Sequence, residues 1–478
     1  MHRPRLPNMI VLLAVYLATM LAIGLWSRRA SSAGESAFYV ANRAYGGFRG
    51  FVALASTTTG GSATLVCAAL VYRHGLAGVW LDLSGALGLF LLALLLAGRV
   101  RKTGAMTLPE IAGKFYGREA RTAAGVLVVV AEIVWFALLT EASQTVLTAM
   151  TGLPAVPALH VSAAVFIGYT AIGGQYAVVR TDFVQYGLMV AGILAVGGVA
   201  ALRAVHGRFA PASGAFDFPV SSTLGWPEVF GWLVLIGLPH LVGGDVYSKL
   251  LSCRDERAAR TAAAGAGASK LVFGGIVAAI ALAARQTGLP VPGDSAVLPL
   301  ALRAFAPGFL GAFAAVALVA TMQSSADSVL LTAASASVRD VAPAFGLRPG
   351  IRSARALVPV FGALGLFVAL RLREIVDTLK IGYSIFAAGM ILPILFGFFR
   401  KSWVPARFAV AAMAIGGSVA LAGRYFPAIA FHRDPVLAGT GANLAILLAG
   451  IVRTRIAGRC PGDEGIVPYP ASARRTAG

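Results

Sequence analysis

The chain has 478 residues, of which 58% are hydrophobic and 13% charged, with Lys and Arg outnumbering Asp and Glu by 40 to 20. An ordinary soluble protein is about 25% charged, so the composition excludes a soluble globular enzyme, and the apolar runs that recur along nearly the whole chain make it one polytopic membrane domain. A net charge of +20 would direct a soluble chain to nucleic acid, but here the basic residues gather at the ends of the apolar runs, where membrane proteins mark their cytoplasmic side; no nucleic-acid partner is expected.

A bilayer core about 30 Å thick takes about 20 apolar residues per helix. Thirteen such helices are predicted, over residues 8–27, 47–71, 76–98, 122–150, 156–173, 182–203, 228–248, 265–286, 307–338, 354–371, 378–399, 404–424 and 436–453. The first ends in Trp26-Ser27-Arg28-Arg29 without a small-residue cleavage site, so it reads as a retained helix. Helix two carries Ser56-Thr57-Thr58-Thr59-Gly60-Gly61-Ser62, and helix seven carries Pro239-His240-Leu241-Val242-Gly243-Gly244-Asp245. Paired Gly/Pro interruptions at corresponding positions are the cue for inverted repeats whose first helices are broken near the membrane midplane. Two five-helix halves are therefore expected, over 47–203 and 228–399, within a single transporter domain of residues 1–455. The tail, 456–478, is polar and reads as cytoplasmic and disordered. If the amino terminus is outside, 28 of the 40 Lys and Arg residues fall nearest inside segments, which supports that orientation.

Ionisable groups inside membrane spans are functional candidates by default. Those read here are Asp82, Glu132, Glu141, Asp182, Asp245 and Asp327. Asp182 follows Arg180-Thr181 at the predicted start of helix six, which also fits an interfacial N-cap or a local ion pair. In helix nine, Thr321, Ser324, Ser325 and Ser328 fall at i, i+3, i+4 and i+7, placing four hydroxyls on one stripe. A small hard cation wants several oxygens, and this stripe together with carbonyls freed at the break in helix two would form such a cage. Small packing residues or back-bonding hydroxyls would give the same letters. Asp327 beside the stripe must be neutral, paired with a cation or wet. Thr57, Thr59, Ser62, Glu141 and Gln144 are candidates for lining a solute pocket. The three cysteines and six histidines show no metal-site spacing, and no nucleophile–base set is present, so neither a cofactor nor enzymatic catalysis is expected.

In order and spacing these segments resemble the sodium/solute symporters, the family of the bacterial proline, pantothenate and galactose carriers. The pieces are Gly60-Gly61 with Gly75-Leu76-Ala77-Gly78, Thr107-Leu108-Pro109-Glu110 before Phe115-Tyr116-Gly117, Tyr169-Thr170-Ala171-Ile172-Gly173-Gly174, Thr181-Asp182-Phe183-Val184-Gln185, and the helix-nine segment ending in Arg339-Asp340. The resemblance implies an all-α, LeuT-like core and a sodium site formed by the carbonyls of Ala55 and Thr58 with Thr321, Ser324 and Ser325. It also implies a place for Asp182 on the ion path. Thr57 stands where the proline-carrier branch has Asp, and Gly243 to Lys249 lack the aromatic gate and amides of the sugar carriers, so neither substrate carries over. The expected activity is sodium-coupled symport of a small polar or organic solute across a bacterial inner membrane. Proton coupling through Asp327 or Asp182, or a transport-inactive sensor, stands as the alternative; solute and oligomeric state are not readable.

Overall fold

The computed structural model describes residues 6–199, 202, 214–291, 293–306, 308–372, 375–400, 403–426, 429 and 435–456. The tail from residue 457, expected to be disordered, and the end of predicted helix six lie outside them. Among the described residues the chain is helical, with no strand beyond isolated bridges. A bilayer dictates this outcome, because a helix satisfies every backbone N–H and C=O within its own segment. Eleven helices among the described residues are long and apolar enough to cross a membrane.

Two expected crossings are built differently. Predicted helix two is split into α2 (Gly47–Thr59) and α3 (Ser62–His74), with Gly61 at φ +73° between them. Predicted helix five is the first part of a longer element, which starts after α4 (Trp80–Leu91) and α5 (Arg118–Thr151). This element, α6 (Ala155–Met189), bends at Gly174, where φ is 62° and ψ −173°. Its second half therefore begins eight residues before the predicted position 182, which puts Asp182 two turns inside a helix and removes the N-cap reading. Gly174 is the only residue type that fits: its φ is positive, and an added Cβ would meet a ring carbon of Phe38 at 2.7 Å.

The second interrupted crossing also appears where the Gly-Gly signal lies. One helical turn, α7 (Leu238–Leu241), gives way to extended backbone at Val242 before α8 (Gly244–Leu251) resumes. Then come α9 (Glu256–Gln286), α10 (Phe309–Ala336), α11 (Ile351–Leu372), α12 (Ile375–Arg400), α13 (Ala406–Tyr425) and α14 (Pro435–Ile456). Predicted helix nine agrees with α10 to within two residues at each end.

Burial orders these helices from centre to rim. Of the apolar window in the α10 crossing 83% is buried, against 22% in α1 (Leu6–Ser31), whose Ile10, Val11, Val15 and Leu25 face outward. An apolar rim suits lipid, and lipid supplies no hydrophobic drive between helices, so close approach relies on small residues. At Gly60 an added Cβ would sit 2.5 Å from the Thr321 Cβ, and at Gly88 it would sit 2.1 Å from the Gly237 carbonyl oxygen. Both interrupted crossings are thus held tightly by glycine, the first against α10 and the second against α4.

Candidate functional site

The hydroxyl stripe of α10 faces the break between α2 and α3. Ser325 Oγ donates to the Thr57 carbonyl at 2.9 Å, and the Gly61 amide donates to Thr321 Oγ1 at 3.1 Å. Ser324 Oγ donates to Asp182 Oδ1 at 2.7 Å, which leaves Ser56 as the donor in its 2.6 Å bond to Ser324. Ser328 Oγ lies 3.4 Å from Thr57 Oγ1 and donates to the Ser324 carbonyl at 3.1 Å. Thr321, Ser324 and Ser325 are all buried, as are Ala55 and Thr58 across from them. Of the residues read as a cation cage, Thr321, Ser324 and Ser325 thus bond to the broken crossing, although the Ser325 bond runs to the carbonyl of Thr57 instead of Thr58.

The Thr58 carbonyl has another partner. Lys270 of α9, fully buried, donates to it at 2.8 Å and lies 2.8 Å from Asp82 Oδ1 on α4. A second buried lysine, Lys249 of α8, pairs with Asp182 Oδ2 at 2.8 Å, both side chains being wholly inaccessible. The local ion pair considered for Asp182 is absent: Arg180 instead stacks over Trp26 and donates to Ser27 Oγ. Asp327, also fully buried, accepts from Thr170 Oγ1 at 2.6 Å. Both acids assigned to the ion path thus meet α10 or project from it, Asp182 through Ser324 and Asp327 directly.

A cavity with about 550 Å³ of empty space, its mouth included, opens between the two breaks. Thr57, Ser62, Trp135, His240, Asp245 and Tyr383 are among its lining residues. Trp135 and Tyr383 meet edge to face at 5.1 Å between centroids, and His240 stacks on Tyr383 at 6.4 Å. His240 Nδ1 donates to the Ile236 carbonyl at 2.8 Å, and the ring also bonds to the backbone of Thr58. Glu132 is buried behind the cavity, its Oε1 only 2.8 Å from where a Cβ on Gly244 would lie. Among the described residues neither Glu132 nor Asp245 makes an ion pair. Of the predicted pocket residues, Thr57 and Ser62 line this cavity and Thr59, Glu141 and Gln144 do not. Glu141 bonds to Thr378 at 3.1 Å on the α5–α12 contact, and Gln144 donates to Thr148 one turn further along α5. Sequence reasoning missed Lys249, Lys270, Trp135, His240 and Tyr383.

The site lies between two broken crossings of an all-α, LeuT-like membrane fold. Residues 38–211 match the model of the sodium:solute symporter family. The high-affinity choline transporter 1 of Caenorhabditis elegans is 25% identical over 359 residues, covering 68% of this chain and 61% of that protein. The human high affinity choline transporter 1 is 26% identical over 363 residues, with 70% and 61% covered. The human sodium/iodide cotransporter is 27% identical over 269 residues, with 52% and 41% covered. The match thus spans about 61% of the length of the choline transporters. Among solved structures, a Na+-coupled sialic acid symporter in its substrate-bound outward-open state aligns with a TM-score of 0.78 at 18% identity, over 94% of this chain and 97% of that one. A nucleobase-cation-symport-1 family transporter in a closed conformation aligns at 0.59 and 15%, over 88% and 94%. The resemblance read from the motifs is borne out: residues 38–211 match the model of that family, and the choline and iodide transporters are similar to the chain in sequence.

Proposed function

We propose that the protein is a secondary active transporter that couples sodium entry to uptake of a small, positively charged organic solute by alternating access. The observation that carries the sodium half is the buried α10 stripe set against the broken first crossing, with Ser325 on the Thr57 carbonyl and Thr321 on the Gly61 amide. These oxygens form a nearly uncharged donor set of the kind an alkali ion uses. Residues 47–203 and 228–399 would form the two inverted halves, the amino terminus outside and the bacterial inner membrane as host. The charge bias read from the sequence supports that orientation.

The charge of the solute follows from what is left over near the cavity. Asp82 and Asp182 are neutralised by Lys270 and Lys249, whereas Asp245 on the cavity wall and Glu132 behind it make no ion pair among the described residues. Two neighbouring carboxylates beside the aromatic rings of Trp135 and Tyr383 suit a cation, which gains from both charge and ring quadrupole. The choline transporters among the relatives agree with that class. The test is uptake into proteoliposomes of choline and of its uncharged carbon isostere, in sodium and in potassium. Accumulation of choline alone, dependent on sodium and lost in Asp245→Asn, is expected. Transport of neutral or anionic compounds only would overturn the cationic solute. Uptake that persists in potassium and collapses with a protonophore would replace sodium by protons, with Asp327 or Asp182 as carrier.

A further inference from the structure

We propose that Lys270 is a resident, tethered cation at the first broken crossing, and that its ammonium competes with sodium for the Thr58 carbonyl. The inference rests on the sodium reading above and adds to it a regulator of that same site. Lys270 leaves α9, passes Gly85 of α4, and ends 2.8 Å from both the Thr58 carbonyl oxygen and Asp82 Oδ1. Its side chain is wholly buried.

A lysine held only for charge balance needs its acid. This one also donates to the backbone oxygen at the end of α2, where the helix stops and its last carbonyls lack intrahelical partners. An ammonium there satisfies the carbonyl electrostatically as a bound alkali ion would, and one lone pair of that oxygen faces it. Across the break, Ser325 and Thr321 hold the neighbouring Thr57 carbonyl and Gly61 amide. Of the two backbone carbonyls assigned to the cage, that of Thr58 is engaged by Lys270. Sodium must either be held by fewer ligands or displace the lysine toward Asp82, which remains in place to receive it. Asp82 acts here as the retreat position for the displaced charge. The route for the lysine stem is narrow: a Cβ on Gly85 would lie 2.4 Å from Lys270 Cε and 3.2 Å from His240.

The experiment measures the thermal unfolding midpoint of the purified full chain against NaCl, with KCl keeping ionic strength constant. The variants are the charge-neutral pair Asp82→Asn/Lys270→Met, which frees the carbonyl, and Gly85→Ala, which keeps both charges and pushes the lysine stem aside. In each, the sodium concentration giving half the effect is expected to fall at least five-fold below that of the unaltered chain. A value that stays the same or rises in the variants that fold overturns the proposal while leaving sodium coupling intact. An unaltered chain that ignores sodium beside variants that respond would sustain the lysine proposal and overturn sodium coupling in the natural protein. Silence in all of them overturns both.

Discussion

Ser325 ties α10 to the Thr57 carbonyl with one hydroxyl, and that bond and the proposed cation ligand are removed together in Ser325→Ala. The loss of one oxygen ligand is worth about 1 kcal/mol, so the sodium concentration for half-maximal uptake should rise roughly five-fold with little change in maximal rate. Asp182→Asn should behave differently. It leaves Lys249 charged and unpaired in a site of zero accessibility, which costs about 3–5 kcal/mol and should lower the unfolding temperature sharply. Asp182→Leu/Lys249→Met should recover most of that loss, and a double variant as unstable as the single one would sink the account. These lysines mark the limit of what the letters reveal. A basic residue close to a loop reads as a boundary marker, and Lys249 and Lys270 lie near the ends of their predicted apolar runs. Only the partner acids, 67 and 188 positions away, turn them into interior charges.

Interruptions were legible as a pair at corresponding positions, not from the letters alone, since Gly274-Gly275, Gly416-Gly417, Pro359 and Pro393 lie inside unbroken helices. The break at Gly60-Gly61 and that at Val242-Gly243 both lie in the predicted segments. The start of the second half of α6 was misplaced for a physical reason: Arg180-Thr181-Asp182 resembles a membrane surface until Trp26 and Lys249 are seen to accept its charges. The stripe on α10 followed from helical spacing alone, whereas the aromatic wall of the cavity did not, since Trp135 and Tyr383 come from helices far apart in the chain. Gly60→Ala tests the break as an element. Its new methyl would press on Thr321 at 2.5 Å, and the neighbour is a branched side chain in a buried helix with little freedom to move. Uptake should drop at least ten-fold while the chain still inserts and purifies.

At the scale of the molecule, one end is fastened by charge. Arg121 binds Asp340 at 2.6 Å, Arg339 binds Glu35 at 2.5 Å and reaches Glu110 at 3.8 Å, and Arg101 donates to the Cys253 carbonyl at 2.5 Å. Inward of this network lies a smaller cavity lined by Tyr39, Met106, Gln175, Ser248 and Ser335. Breaking the fastening with Arg339→Ala should raise the rate at which a Ser248→Cys reporter reacts with a maleimide several-fold, and an unchanged rate would remove the network as a gate. Background is kept low because Cys67 is buried, burial pushes the Cys253 thiol up to about 12, and the reporter variant also carries Cys460→Ser. With one sodium per solute, a potential of 100 mV gives about 2.3 kcal/mol and a tenfold sodium gradient about 1.4 kcal/mol. Their sum allows roughly a 500-fold accumulation of an uncharged solute, and a cationic one would gain a further 2.3 kcal/mol or so from the same potential. Accumulation that responds to voltage as two charges would, measured in vesicles with valinomycin-set potentials, is therefore expected.

The bend in α6 restricts how such a machine can move. Thr170 lies four residues before Gly174 and Asp182 eight after it, yet they grip Asp327 and Ser324, which are a single turn apart on α10. Twelve residues of straight helix would span about 18 Å, so α6 doubles back and clasps α10 from both limbs. Sliding α10 by one turn would carry Asp327 to the height of Asp182 and confront two acids where an alcohol and an acid now meet. Axial slippage is thereby barred, and what remains open to this pair is a tilt, with the fold-back at Gly174 as its pivot.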